Sequence, residues 1–322
     1  MKIKIEFEVP NWTRWAIGGL AVGIIVGYAT ASVRAAAVSV ATVWKNGDTL
    51  TAEALNQNFK LLQDALNAQQ ATLDAIEDPD CPKGYMRDAT SAVAIVCTKS
   101  NDQIVKVDSG RMAFWIDRYE ASIWDQSSGS GNQFGVSDAG PDYPASFPTN
   151  GQYSVPHFAV SRVNVRPASW ASWFQAAAAC QASGKRLPTA DEWQRAVRGT
   201  IDPGTSNGNA GSCYTNGTTI RSTGLGAACV SYWGAEDMLG NLWEFIAEWS
   251  AQVAAGYPQT AWPGSDFHSD VAYGIGGTGL PSVLSRGGSL FDSDAAGTFA
   301  IDLRYSPIEQ RLTHGFRCAT PR

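Results

Sequence analysis

The stretch that most constrains the fold is residues 285–322, which opens on Ser285-Arg286-Gly287-Gly288-Ser289 and closes on Gly315-Phe316-Arg317-Cys318. Paired glycines mark backbone that takes positive φ or passes close to another segment. Between these ends lie Leu290, Phe291, Asp292, Asp294, Asp302, Arg304, Tyr305, Ile308, Arg311, Thr313 and His314, in an order that keeps neither a strand period nor a helix period. A segment fixed at both ends and irregular between them reads as a rigid frame carrying a surface. Such a surface suits recognition of a partner better than chemistry, and these side chains are its candidate ligand-binding residues.

Two further blocks accompany it: Trp173 to Gly199 reads WFQAAAACQASGKRLPTADEWQRAVRG, and Asp237 to Trp249 reads DMLGNLWEFIAEW. With RGGS and GFRC, and in this order, they resemble the formylglycine-generating-enzyme (sulfatase-modifying factor) family over roughly Cys81 to Arg322. The resemblance implies an α+β domain with a C-type-lectin-like fold. It is less specific for activity, because the family includes oxidases, iron-dependent sulfoxide-type enzymes and non-catalytic binding proteins. Its catalytic copper members carry two cysteines shortly after RGGS. Here that segment reads LFDSDAAGTFAIDLRYS and holds no cysteine, and oxygen ligands from Asp292 or Asp294 do not replace the soft thiolates that select Cu(I). The iron-dependent relatives use a His-rich helix, whereas His157, His268 and His314 are far apart. No catalytic residue is therefore expected. The spacing of RGGS, AGTFA, SP and GFRC also resembles the variable proteins of diversity-generating retroelements, which implies that the segment between RGGS and GFRC is diversified.

The resemblance carries a metal expectation too. In relatives the GN-WEW block wraps a structural calcium ion, and the matching positions are Asp237, Gly240, Leu242 and Glu244; oxygen ligands with a carboxylate at each end suit a hard cation. The alternative is that Asp237 and Glu244 are hydrogen-bonded within a turn. A second family calcium site would fall between Asn207 and Trp233, without assignable ligands. Arg286 and Arg317 would brace carbonyls and carboxylates, or alternatively bind an anion.

Six cysteines form an even set. The sequence suggests the pairs Cys81 with Cys97 and Cys213 with Cys229, each closing a local loop. The third, Cys180 with Cys318, matches the family's bridge from the helix before GKRLPT to the terminal GFRC. No CxxC or Cys/His metal spacing competes, so an oxidising compartment is expected, with buried reduced thiols in a cytosolic protein as the alternative. The 322 residues are 44% hydrophobic and 17% charged, enough to bury a sizeable core. A net charge of −6 without a Lys/Arg-rich run lacks the basic footprint of a phosphate-backbone binder, so nucleic acid is not an expected partner.

Trp15 to Val33 carries no charge between Arg14 and Arg34 and is long enough to cross a bilayer. We expect residues 15–33 to be an uncleaved transmembrane anchor, with Lys2, Lys4 and Arg14 holding the tail 1–14 in the cytoplasm. Ala29-Thr30-Ala31 and Ala35-Ala36-Ala37 leave a cleaved signal peptide open, with a secreted product. Residues 34–80 form a linker and helical stalk: Asn46-Gly47-Asp48 signals a turn, Thr51 suits an N-cap, and Asp78-Pro79-Asp80 stops the helix near Glu77. Leu55, Phe59, Leu62, Leu66, Gln69, Leu73 and Ile76 follow steps of four and three. That row suits either a homo-oligomeric coiled coil through residues 52–77 or one helix lying on its own globular domain.

In the head, residues 81–322, AFWIDRY at Ala113–Tyr119 alternates like a strand, and Ser127–Pro156 reads as long surface loops. Ser172 with Gln175 and Thr189 with Glu192 fit capping boxes. They predict helices over about Trp170–Ala182 and Ala190–Arg198. Trp170, Trp173, Trp193, Trp243 and Trp249 are expected in the core. The functional expectation is a cell-envelope protein whose head binds a protein or glycan on another cell or surface. A metal-dependent oxidase and a structural envelope subunit are the alternatives.

Overall fold

The computed structural model describes residues 51–74, 80–91, 94–108, 110, 112–204, 211–251, 260–262, 269–274 and 281–321. The tail 1–14, the apolar segment 15–33, the 46–48 turn, the stop at 78–79 and His268 lie outside them. Among the described residues no helix is long and apolar enough to cross a membrane. The chain divides into two compact units, residues 1–76 and 77–322. In the first, helix α1 spans Ala52–Asp74. Thr51 caps it as expected, its Oγ1 accepting from the Ala54 N–H at 3.2 Å, and Glu53 sits at the positive end of the helix dipole.

The second unit is mixed and mostly sheet. Strands β1 (Met86–Arg87), β2 (Val96–Lys99), β3 (Asp102–Asp108) and β4 (Ala113–Asp117) run as antiparallel neighbours. The last strand, β14 (Ala319–Pro321), returns to pair with β4 and closes this five-stranded sheet. Strands β5 (Ala121–Trp124), β6 (Gln133–Phe134) and β7 (Phe158–Ser161) form a small sheet in the order β6-β5-β7. Helices α2 (Trp173–Ala182) and α3 (Ala190–Ala196) follow, both opened by the expected capping boxes. The third sheet takes the order β13-β8-β11-β12-β10-β9 from β8 (Trp243–Ser250), β9 (Thr260–Ala261), β10 (Val271–Tyr273), β11 (Ser282–Arg286), β12 (Ile301–Asp302) and β13 (His314–Phe316).

AFWIDRY is a strand only as far as Asp117, because the chain then crosses from the first sheet to the second at Ala121. Helix α2 starts at Trp173, since Trp170 takes positive φ and donates its N–H to the Arg311 carbonyl. The region 127–156 is not all surface. Phe147 is fully buried and the Tyr143 hydroxyl donates to the Ser169 carbonyl at 2.7 Å. Trp193 and Trp243 are core as expected, but Trp249 is 43% exposed, at the far end of β8.

One core lies between the first sheet and α3, with Val105, Phe114 and Ile116 against Trp193, Val197, Met238 and Ile246. The other packs Ile123, Phe147, Phe245, Val283 and Phe316 against the alanine-rich face of α2. Alanines there let the helix backbone approach the sheets closely. All three expected disulfides form: Cys81–Cys97, Cys180–Cys318 and Cys213–Cys229. The lysine of GKRLPT is buried beside the second of them. Lys185 Nζ donates to both Asp102 oxygens at 2.9 Å and to Asp117 Oδ1 at 2.7 Å, while Asp117 Oδ2 accepts from the Cys318 N–H at 2.8 Å. Three distant blocks of sequence thus meet at one ammonium group.

Candidate functional site

The RGGS block makes a sharp exit from β11. Gly287 and Gly288 have φ of +89° and +88°. A Cβ would stand 2.6 Å from the Met238 carbonyl at the first and 2.2 Å from the Ala296 Cβ at the second, so both positions require glycine. Arg286 is buried and braces Gln194 Oε1 and the Thr298 carbonyl, the latter at 2.9 Å. At the closing end Arg317 is fully buried, donating Nε and Nη2 to Glu244 at 2.6–2.8 Å, Nη1 to the Asp117 and Arg118 carbonyls, and Nη2 to the Glu236 and Asp237 carbonyls. Both motif arginines are therefore internal braces.

Between the braces, Asp292 acts as a post. Its Oδ2 accepts from Trp243 Nε1 at 2.9 Å and from the Ser289 N–H and hydroxyl at 2.8 and 2.5 Å; its Oδ1 accepts from the Tyr273 hydroxyl at 3.3 Å. Burial, and then the Asp292 charge, push the Tyr273 phenol up to about 12. Tyr273 reaches this place because β10 pairs in parallel with β12, setting Tyr273 opposite Asp302. The Arg304 guanidinium lies 3.6 Å from the centre of the Tyr273 ring, and Arg311 lies 4.3 Å from that of Tyr305. Asp302 accepts from Arg304 Nε and Nη2, the shorter bond 2.7 Å, and Glu309 accepts from Arg311 Nη2 at 2.7 Å. Burial alone would raise the Asp302 carboxyl, but His314 and Arg304 beside it hold it below the usual range.

The structure divides the sequence-predicted binding residues. Phe291 and Ile308 are more than half exposed, Arg311 is exposed, and Asp294, Arg304, Tyr305 and Thr313 are partly so. With Tyr273, which the sequence did not single out, Arg304, Tyr305 and Arg311 form a continuous aromatic and cationic face. Leu290, Asp302 and His314 are corrections, since each is buried. Leu290 packs with Ile220 and Leu242. Asp302 lies within the sheet under Arg304. His314 stacks on Trp243 and meets Phe245 and Tyr305, with its Nε2 3.6 Å from Asp302 Oδ2. These three lie beneath the surface, and Asp292 is partly exposed beside them.

The two carboxylates matched to a calcium site face protein donors. Both Glu244 oxygens face donors, Arg317 and the Trp193 Nε1 at 2.6 Å. The Asp237 oxygens accept from Arg221 Nη2 at 3.0 Å and the Gly224 N–H at 2.8 Å. The N–H groups of Gly240 and Leu242 donate to the Gly287 carbonyl and Glu120 Oε1. Two guanidinium groups thus supply the positive charge that a cation would bring. Glu120, unmarked in the sequence reading, is buried and also accepts from Asn241 Nδ2 at 2.6 Å, which gives the GN pair a structural task. Among the described residues no group of three or more His, Cys, Asp or Glu side chains is placed to hold a metal ion. A separate cavity of about 370 Å³ is lined by Gln194, Arg195, Arg198, Trp233 and Phe299, among others.

Several solved structures are similar to this chain. The Major Tropism Determinant P3c variant is 20% identical with a TM-score of 0.45, over 74% of this chain and 55% of that one, so the chain spans about half its length. Treponema denticola variable protein 1 is 18% identical with a TM-score of 0.41, over 72% of this chain and 100% of that one. PvdO from Pseudomonas aeruginosa is 16% identical with a TM-score of 0.35, over 76% and 96%. No curated protein matches. The profile of the sulfatase-modifying factor enzyme 1-like domain matches residues 111–321, from before β4 to the end of β14, and the chain belongs to that family.

Proposed function

We propose that the head is a C-type-lectin-like ligand-binding module, displayed outside the cytoplasm from an N-terminal anchor at residues 15–33, and that it binds a protein or glycan through Phe291, Asp294, Arg304, Tyr305, Ile308, Arg311 and Tyr273. The observation that carries this reading is the division of labour in the terminal segment. Exposed aromatic and arginine side chains, the types that dominate binding hot spots, stand on a buried frame of Arg286, Asp302, His314 and Arg317, with the partly exposed Asp292 hydrogen-bonded beside it. Such a frame tolerates change at the exposed positions, which is what diversification of this segment would require. All six cysteines are consumed in disulfides, which favours an oxidising compartment and leaves no thiolate for a copper centre.

The test is a displayed library of the head randomised at Phe291, Asp294, Arg304, Tyr305, Ile308 and Arg311, selected on immobilised lysozyme as an arbitrary protein probe. Folded members should be common and binders should emerge, whereas Leu290→Asp should unfold the head. Loss of folding throughout the library, or a folded library that yields no binder, would reject the reading.

A further inference from the structure

We propose that helix α1 joins identical copies of this chain into a parallel, in-register coiled coil, so that several heads are carried on one stalk. In α1, Phe59, Leu62 and Leu66 are 61%, 41% and 65% exposed, and they lie in one row at steps of three and four. Leu55 begins the row, and Gln69, Leu73 and Ile76 continue it in the sequence. Written as a heptad, Phe59, Leu66 and Leu73 take position a, and Leu55, Leu62, Gln69 and Ile76 take position d.

The flanks identify the occupant of this seam. Within Ala52–Asp74, positions e and g are Asn56, Asn58, Gln63, Ala65, Gln70 and Thr72, none of them charged, while the charged residues Glu53, Lys60, Asp64 and Asp74 all fall on the outer positions b and f; the next e position, beyond the helix, is Glu77. In a parallel assembly of identical helices each g position faces the e position of its neighbour; here neither carries a charge, so nothing repels a second copy and no charge code selects a different partner. A helix that lies on a globular surface needs a wider apolar stripe that takes in e or g. Here those positions are polar or alanine. Most helical stability in proteins comes from packing an apolar face, and with Phe59, Leu62 and Leu66 uncovered a second copy supplies the missing burial.

The full chain in mild detergent should sediment as an integer multiple of its monomer mass. The Leu62→Asp/Leu66→Asp double variant should fall to one chain with the melting of the head unchanged, since the head is a separate compact unit. Because the native cysteines are all paired, a single added thiol reports register. Leu66→Cys should oxidise to a disulfide-linked dimer, and Gln57→Cys, on the outer face, should not. A monomeric wild type, an assembly that survives the double variant, or linkage at residue 57 as ready as at residue 66 would overturn the proposal.

Discussion

Arg317→Met is the most informative single change in the head. Arg317 is fully buried and joins Glu244 to four backbone carbonyls from two separate segments, Asp117–Arg118 and Glu236–Asp237. Methionine approximates the volume of the stem and removes every donor. Glu244 would then keep only the Trp193 N–H, and its charge would stand unpaired in the core. Breaking a buried ion pair in this way costs about 3 to 5 kcal/mol, much of it the penalty for the abandoned charge. Adding Glu244→Gln removes that charge, so the double variant should regain part of the loss although it carries one more substitution. Urea unfolding with disulfides intact gives the comparison, provided the slope of the transition stays the same among the variants. A loss below about 1 kcal/mol for Arg317→Met, or a double variant worse than the single by the full cost of another buried group, would refute the ion-pair reasoning.

Chelation should leave the melting curve unchanged, because Asp237 and Glu244 already face Arg221 and Arg317; a lower melting temperature in EDTA would show that a cation is held after all. Acidification should strengthen the fold. Burial, then Asp102, pushes Asp117 up to about 7, and burial, then Asp202, does the same to Asp270. These groups bind more protons folded than unfolded between about pH 4 and about pH 7, so stability should be higher near pH 5.5 than near pH 7.5, and Asp117→Asn should flatten that slope. Glu192 and Asp302, held low by Arg186 and by His314 with Arg304 despite their burial, act oppositely but only near and below about pH 4; a melting temperature that falls on acidification from about pH 7.5 to about pH 5.5 would contradict this. Removing Cys180–Cys318 should cost about 5 kcal/mol and removing Cys213–Cys229 about 3, because they span 138 and 16 residues. Equal losses in urea unfolding would show that loop closure is not the source.

What the sequence disclosed was mostly local chemistry. The capping boxes at Ser172 and Thr189 depend on residues three apart, and both form. The cysteine pairs followed from loop length in two cases and from the family pattern in the third. The fates of Leu290, Asp302 and His314 could not be read this way, because an irregular segment gives no period to separate its buried side from its exposed one. Asp302 is buried because β12 is flanked by both β11 and β10, a pairing set by residues far along the chain. Tyr273 joins the face through that same pairing. The GN-WEW spacing drew attention to two carboxylates but could not show what faces them, since Arg317 comes from 73 residues further on.

Arg304 shows what the buried aspartate beneath the face accomplishes. Its guanidinium is held from one side by Asp302 and rests on the Tyr273 ring. A free surface arginine gives up about 0.5 to 1.5 kcal/mol of conformational freedom when a partner immobilises it. Here that loss has already been taken during folding, and a ligand would meet a side chain set in place. Affinity at this position would therefore arise mainly from slow departure, with no ordering step to delay arrival, and a substitution that frees the arginine, such as Asp302→Asn, would weaken binding without removing any atom that the ligand touches.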